Sequence, residues 1–345
     1  MSLDLEAIED LPPELTGALT FHLPLEVAAL ELAGASPEVI AARVAQRLAE
    51  AYAEGLVDPP LYRWAVEHYR PVADQLLSPD RHERERGFAA IDALGPGLAG
   101  AGFHGLIRLG YGLWRRRPGE VARGLAYLRT RRQVLAGGLG SGILAMPGTP
   151  EVPGFSGMPG VAGMPGVPER AGVTVFDLMN LAAGVENPAA FLPGAGPVTV
   201  QRLASTALGL VRRNPSSFVD VHTVTALYAL VELACHRSPP GEPVVLEVTQ
   251  PIEGLALPAW WWAYAVAVGV AVLLMDPLPP EAVAAPSPRL DTAERLLAAS
   301  VDSGETHDLK VMLALVRLHS FGVIAMHDVV QVGAIRLAAR EGAQG

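Results

Sequence analysis

The sequence predicts an all-α protein, a single large multi-helical domain of about a dozen helices spanning residues 1–345. Three observations predict it. Half of the 345 residues are hydrophobic, with Ala and Leu dominant. They recur with helical period, and Pro, Gly and cap residues interrupt them at helix-length intervals. Strand-like alternation is scarce, its best instance being the short stretch 243–248.

The elements follow in order. Helical period begins near Leu25. Ser36-Pro37-Glu38 places Ser at an N-cap and Pro at the first helical position, opening a helix to Glu54, before Gly55. Pro59 and Pro60 open the next, to about Leu77, and Ser78-Pro79-Asp80 opens a third. Gly95-Pro96-Gly97 breaks the pattern before a helix over 103–116, and Pro118 restarts one through Leu135. Residues 137–172 form an irregular Gly/Pro/Met-rich loop with Met-Pro-Gly triplets starting at Met146, Met158 and Met164. Such a loop is either a surface insertion or an apolar lid. It has no Gly-Lys-Ser/Thr ending, so it is not a phosphate loop. Helices resume over 174–183, 199–211, 219–236, 292–301, 305–321 and 325–341, with a Pro-rich linker at 277–288. The uncharged segment 257–275, with Trp260, Trp261 and Trp262, is long enough for a membrane span. Its aromatics cluster at one end and the other helices are amphipathic, so it reads as a buried central helix.

The net charge of −10 argues against a nucleic-acid partner, which would need a basic face. The run Arg115-Arg116-Arg117 reads as a solvated helix end. A single cysteine, Cys235, allows no intrachain disulfide and no thiolate cluster. Residues 1–14 are acidic and lack the layout of a signal peptide, so a cytoplasmic protein is expected. No dinucleotide fingerprint offers a home to bound nicotinamide or flavin. Nothing indicates the oligomeric state.

Chemistry rests on histidines. His68, His82 and His236 sit among polar neighbours and read as surface residues. His22, His104, His222, His307 and His319 lie in apolar helical context. One alone reads as a hydrogen-bonded core histidine; several on inward faces make a bundle-core metal site. His307 and Lys310 share a face at i,i+3 in an otherwise apolar run. An ammonium has no lone pair, so Lys310 becomes a ligand only when deprotonated or converted to a carbamate. Pattern alone favours a lysine that snorkels to the surface. His104, Arg108 and Tyr111 form one helical stripe. Gly105 and Gly112 in the same helix signal close packing or room for a substrate. His22 stands at a helix entrance with Glu26 one turn on, and His222 lies early in an apolar helix.

These strings join into a resemblance. HLPLEVAALELAGAS at 22–36, FHGLIRLGYGL at 103–113, VHTVTALYAL at 221–230 and the His-x-x-Lys of THDLK at 306–310 occur in an order that resembles the questin oxidase-like family. The likeness runs over roughly 14–340, and FHGLIRLGYG and His-x-x-Lys are its most specific parts. The family includes Baeyer–Villiger-type oxidases of aromatic polyketide pathways. The resemblance implies an all-α fold and an oxidoreductase that cleaves anthraquinone-type rings with molecular oxygen. It also implies non-haem iron held by four histidines and a carboxylated lysine, here His22, His104, His222, His307 and Lys310. Zinc or manganese suits the same nitrogen-rich set. Arg108 and Tyr111 would orient oxygens of a small aromatic substrate, and NADPH as a co-substrate is left open. Leu25 and Glu26 stand where some relatives have another histidine, Tyr111 stands where many bacterial ones have one, and the 137–172 loop looks unlike the family. Two other readings remain open: an HD-type metal phosphohydrolase, suggested by His307-Asp308 and His327-Asp328, and a non-catalytic helical scaffold.

Overall fold

The computed structural model describes residues 5–16, 19–131, 197–213, 215, 218–237, 249, 264 and 292–344. The expected loop 137–172, the linker 277–288, the helix at 174–183, the stretch 243–248 and all of 257–275 except Tyr264 lie outside these residues. The described chain is all-α, as expected, with twelve α-helices and three two-residue strands among the described residues. None of the described helices is long and apolar enough to cross a membrane.

Helix α1 is Leu5–Glu9, α2 Leu23–Leu32 and α3 Pro37–Glu54. The Ser36 hydroxyl caps α3, accepting from the Val39 amide at 3.4 Å. Helix α4 runs over Tyr62–Leu77. It starts later than Pro59-Pro60 suggests, because Leu61 adopts a left-handed conformation (φ 64°) that ends the preceding turn. Helix α5 is Arg81–Leu94. Its cap is Asp80 and not Ser78, for the Asp80 carboxylate accepts from the His82 and Glu83 amides at 2.7 and 3.1 Å. A 3₁₀ segment, Gly95–Phe103, leads into α6, His104–Trp114, followed by α7, Pro118–Thr130. Then come α8, Val200–Arg213; α9, Phe218–Arg237; α10, Ala293–Asp302; α11, Thr306–Ser320; and α12, Met326–Gln344.

Helix α6 is wedged between α7 and α9, and its glycines allow it. A methyl group at Gly105 would stand 2.8 Å from the Leu128 backbone nitrogen, and one at Gly112 would stand 2.7 Å from that of Val121. From the other side, Gly124 of α7 meets the Leu109 nitrogen just as closely, and Gly110 faces Ala229 of α9. Of the two expectations for Gly105 and Gly112, close packing is the one observed.

The strands β1 (Glu14–Leu15), β2 (Leu19–Thr20) and β3 (Leu56–Val57) form a small antiparallel sheet in the order β2-β1-β3. Glu14 pairs with Thr20 and with Val57. This sheet fastens the arm that delivers Phe21 and His22 to the start of α2. Buried Glu14 also accepts from the Tyr127 hydroxyl at 3.1 Å and pairs with Arg131, tying the arm to α7.

Candidate metal centre

Four helix starts supply the site. His22 is the N-cap residue of α2, His104 opens α6, His222 lies in the second turn of α9, and His307 is the second residue of α11. Their rings gather in the interior. Nε2 of His104 stands 2.8 Å from Nε2 of His22 and 3.1 Å from Nε2 of His222. Ligand atoms of these three all lie within 4.8 Å of one another. His307 flanks this triad, its ring centroid 4.9 Å from that of His22 and 5.6 Å from that of His222.

The approach to His104 is unusual backbone. Ala101, Gly102 and Phe103 take φ of 53°, 60° and 67° in succession. Two of the three are non-glycine residues in the left-handed region, a conformation that costs energy and gathers at functional sites. The turn swings the Ala101 carbonyl under the His104 ring, where it accepts from Nδ1–H at 2.7 Å. A carbonyl can only accept, so Nδ1 holds the proton and Nε2 presents a lone pair to its neighbours. His307 follows the same logic: its Nδ1 lies 3.0 Å from a carboxylate oxygen of Glu305, which leaves Nε2 as the lone-pair nitrogen.

Burial pushes the pKa values of His22, His104 and His307 well below the ordinary 6.5. The charge of Lys310 acts on all three in the same direction, and His222 adds to it at His104. Lys310 itself is 1% exposed, so the reading that it snorkels to the surface is overturned. Burial pulls its amine down to about 7, against the opposing pull of Glu26 and Glu305. Its Nζ has no hydrogen-bond partner among the described residues. An unsatisfied buried amine costs about 1–3 kcal/mol, and the charge of this one is felt by His22, His104 and His307.

A clamp of opposite charge backs the cluster. Fully buried Glu26 pairs with Arg43 and with Arg47, the latter at 3.1 Å from Nε. Arg43 also donates to the Gly304 carbonyl at 2.7 Å, and Arg47 to the Thr306 hydroxyl at 3.2 Å. The clamp thereby binds α3 to both α2 and the start of α11, fixing His22 and His307 relative to each other.

The other expected site residues lie elsewhere. Arg108, one turn beyond His104, is turned away from the rings. It holds Glu120 through two bonds of 2.9 and 2.8 Å, and donates to the Tyr62 hydroxyl and the Glu9 carbonyl. Its guanidinium is occupied by the fold, which corrects the expectation that it orients a substrate. Tyr111 packs on Tyr228 with ring centroids 5.5 Å apart, fully buried, and burial pushes its phenol far up. Neither residue belongs to the histidine cluster. Asp308 pairs with Arg336 at 2.8 Å, and His327 sits exposed beside Asp328, which pairs with Arg212. Neither His-Asp dipeptide therefore brings its carboxylate to the rings. Two surface expectations also change: His236 is half-buried, 3.1 Å from the Leu76 carbonyl, and Arg115 is buried against Glu31 and Glu9.

Sequence reasoning missed Glu305 as the partner of His307. A carboxylate two residues before a buried histidine at a helix start was the available signal. The Arg43–Arg47 clamp carries no such signal, because nothing local tells which acid a helix-surface arginine will meet. Comparison with protein-family models, with curated proteins and with solved structures finds no match to the chain.

Proposed function

We propose that the protein is a metal-dependent oxidoreductase, an oxygenase of questin oxidase-like type, whose ion is held by His22, His104, His222, His307 and Lys310. One observation carries this reading. The Nε2 lone pair of His104 faces two other Nε2 atoms at 2.8 and 3.1 Å. A single lone pair satisfies one N–H donor well, not two. Nitrogens bound about 2.1 Å from a shared ion stand about 3.0–3.4 Å apart, close to the separations seen. The Ala101 carbonyl and the Glu305 carboxylate hold the other ring nitrogens, the usual outer arrangement around metal-bound imidazoles. The orphaned amine of Lys310 completes the donor set, either as free base or, after adding carbon dioxide, as a carbamate.

A bound divalent ion, iron(II) by preference and zinc or manganese as alternatives, would supply oxygen activation or polarise a ring ketone. The chain's own residues do the rest. His104 and His222 are buried and keep water from the inner side of the site. His22 and His307 line a cleft whose apolar wall includes Leu15, Phe21 and Leu23. That wall suits the ring of a small aromatic substrate of polyketide type. Because burial holds His22, His104 and His307 neutral at pH 7, they need lose no proton to act as donors.

The test is metal content and oxygen uptake of the purified protein after loading with iron(II). One ion per chain is expected, lost in His104→Ala and His307→Ala. Absence of stoichiometric metal in the wild type, or binding that survives both substitutions, would sink the proposal.

A further inference from the structure

The histidine cluster has an accessible side. A cleft of about 290 Å³ reaches His22 and His307, while His104, His222 and Lys310 lie behind it. Its charged lining is three carboxylates, Glu50, Glu54 and Glu305, against one guanidinium, that of Arg47. The guanidinium is already neutralised. Arg47 pairs with Glu26 at 3.1 Å and with Glu50 at 2.9 Å, and spends a further donor on Thr306. Glu305 stands against the Nδ1 of His307, and exposed Glu54 has no ion pair among the described residues.

A cleft lined by one sign of charge between low-dielectric walls focuses its field and concentrates counter-ions, raising arrival rates by about 10–10³. This cleft is negative and ends on two imidazoles. Beyond them lies an independent sign of a guest, the Lys310 amine, 1% exposed and without a hydrogen-bond partner among the described residues. We infer that the cleft is the loading route for a divalent cation, with Glu54 and Glu305 capturing the hydrated ion and His22 and His307 as the first nitrogens it meets. The inference rests on the metal-centre reading and adds to it a direction of entry and two residues that govern its rate. The same field disfavours entry of anions such as phosphate esters.

The experiment is stopped-flow mixing of the metal-free, full-length protein with Co²⁺ at low ionic strength, with the reverse rate measured by chelator competition. Glu54→Gln is expected to slow both uptake and release by about 3- to 10-fold, because a group on the path lowers the same barrier in both directions. Equilibrium affinity then stays within twofold of wild type, and the difference shrinks in about 0.5 M salt. Glu67→Gln, on the exposed face of α4, should load at the wild-type rate. Glu305→Gln should slow uptake and also weaken affinity, since it touches His307. Loading of Glu54→Gln at the wild-type rate would overturn the route. So would an affinity loss that matches the slower uptake with release unchanged, the behaviour of a background charge. A wild-type protein that takes up no Co²⁺ would overturn the metal centre and the route together. One that binds Co²⁺ at equilibrium with Glu54→Gln kinetically silent would overturn the route alone.

Discussion

Helix α6 carries two buried polar groups one turn apart, and they meet opposite fates. Arg108 is satisfied on every side, by Glu120, Tyr62 and the Glu9 carbonyl. His104 opens onto two imidazoles whose nitrogens crowd its lone pair, and it feels the charge of the unpartnered amine of Lys310. The first cluster is complete without a guest. The second, in the proposed reading, holds a cation. A fully paired buried charge does structural work; a converging set of buried lone pairs costs stability unless something binds to it.

Four substitutions and conditions break or sharpen this contrast. The largest effect on folding belongs to Arg108→Ala, which strands Glu120 in the interior and should cost about 3–5 kcal/mol in chemical denaturation. The folded fraction should keep its metal stoichiometry, and a loss below 1 kcal/mol would mean the pair is not the structural tie described. Gly105→Ala forces a methyl group against the Leu128 backbone and should cost about 1–3 kcal/mol, with metal binding retained. Lys310→Met should do the reverse. Removing an unsatisfied buried amine should stabilise the metal-free protein by about 1–2 kcal/mol while weakening metal affinity; a less stable metal-free protein would contradict the view of Lys310 as a group held for a guest.

The last effect is on pH dependence. Unfolded, His22, His104 and His307 titrate near 6.5; folded, burial holds them well below it. The unfolded chain therefore binds more protons as pH falls from about 7 to 5, and metal-free stability should drop over that window. Lys310, near 7 folded against 10.5 unfolded, adds a rise in stability between those values. Melting temperatures across pH 5–10 check both limbs, and Lys310→Met should remove the alkaline one.

Much of the fold is legible because local chemistry determines it. Ser36 and Thr292 sit at the caps that their types predict, and Gly55 ends α3. The misses come where distant groups decide. Leu61 yields to a left-handed turn that Pro59-Pro60 does not announce. Arg108 shares a helical face with His104, yet its long side chain reaches a carboxylate twelve positions on, across a helix turn. The burial of Lys310 cannot be read from spacing, since the same pattern describes a lysine that reaches water. The four histidines are legible as strings, but their convergence is legible only through the family resemblance, because four separate helix starts create it.

The most direct test is a crystal of the iron- or cobalt-loaded protein with data collected at the metal absorption edge. The central claim predicts one anomalous peak within bonding distance of Nε2 of His22, His104 and His222, with His307 and Lys310 closing on it. A peak elsewhere, or a loaded crystal with only ordered water among the imidazoles, would contradict it.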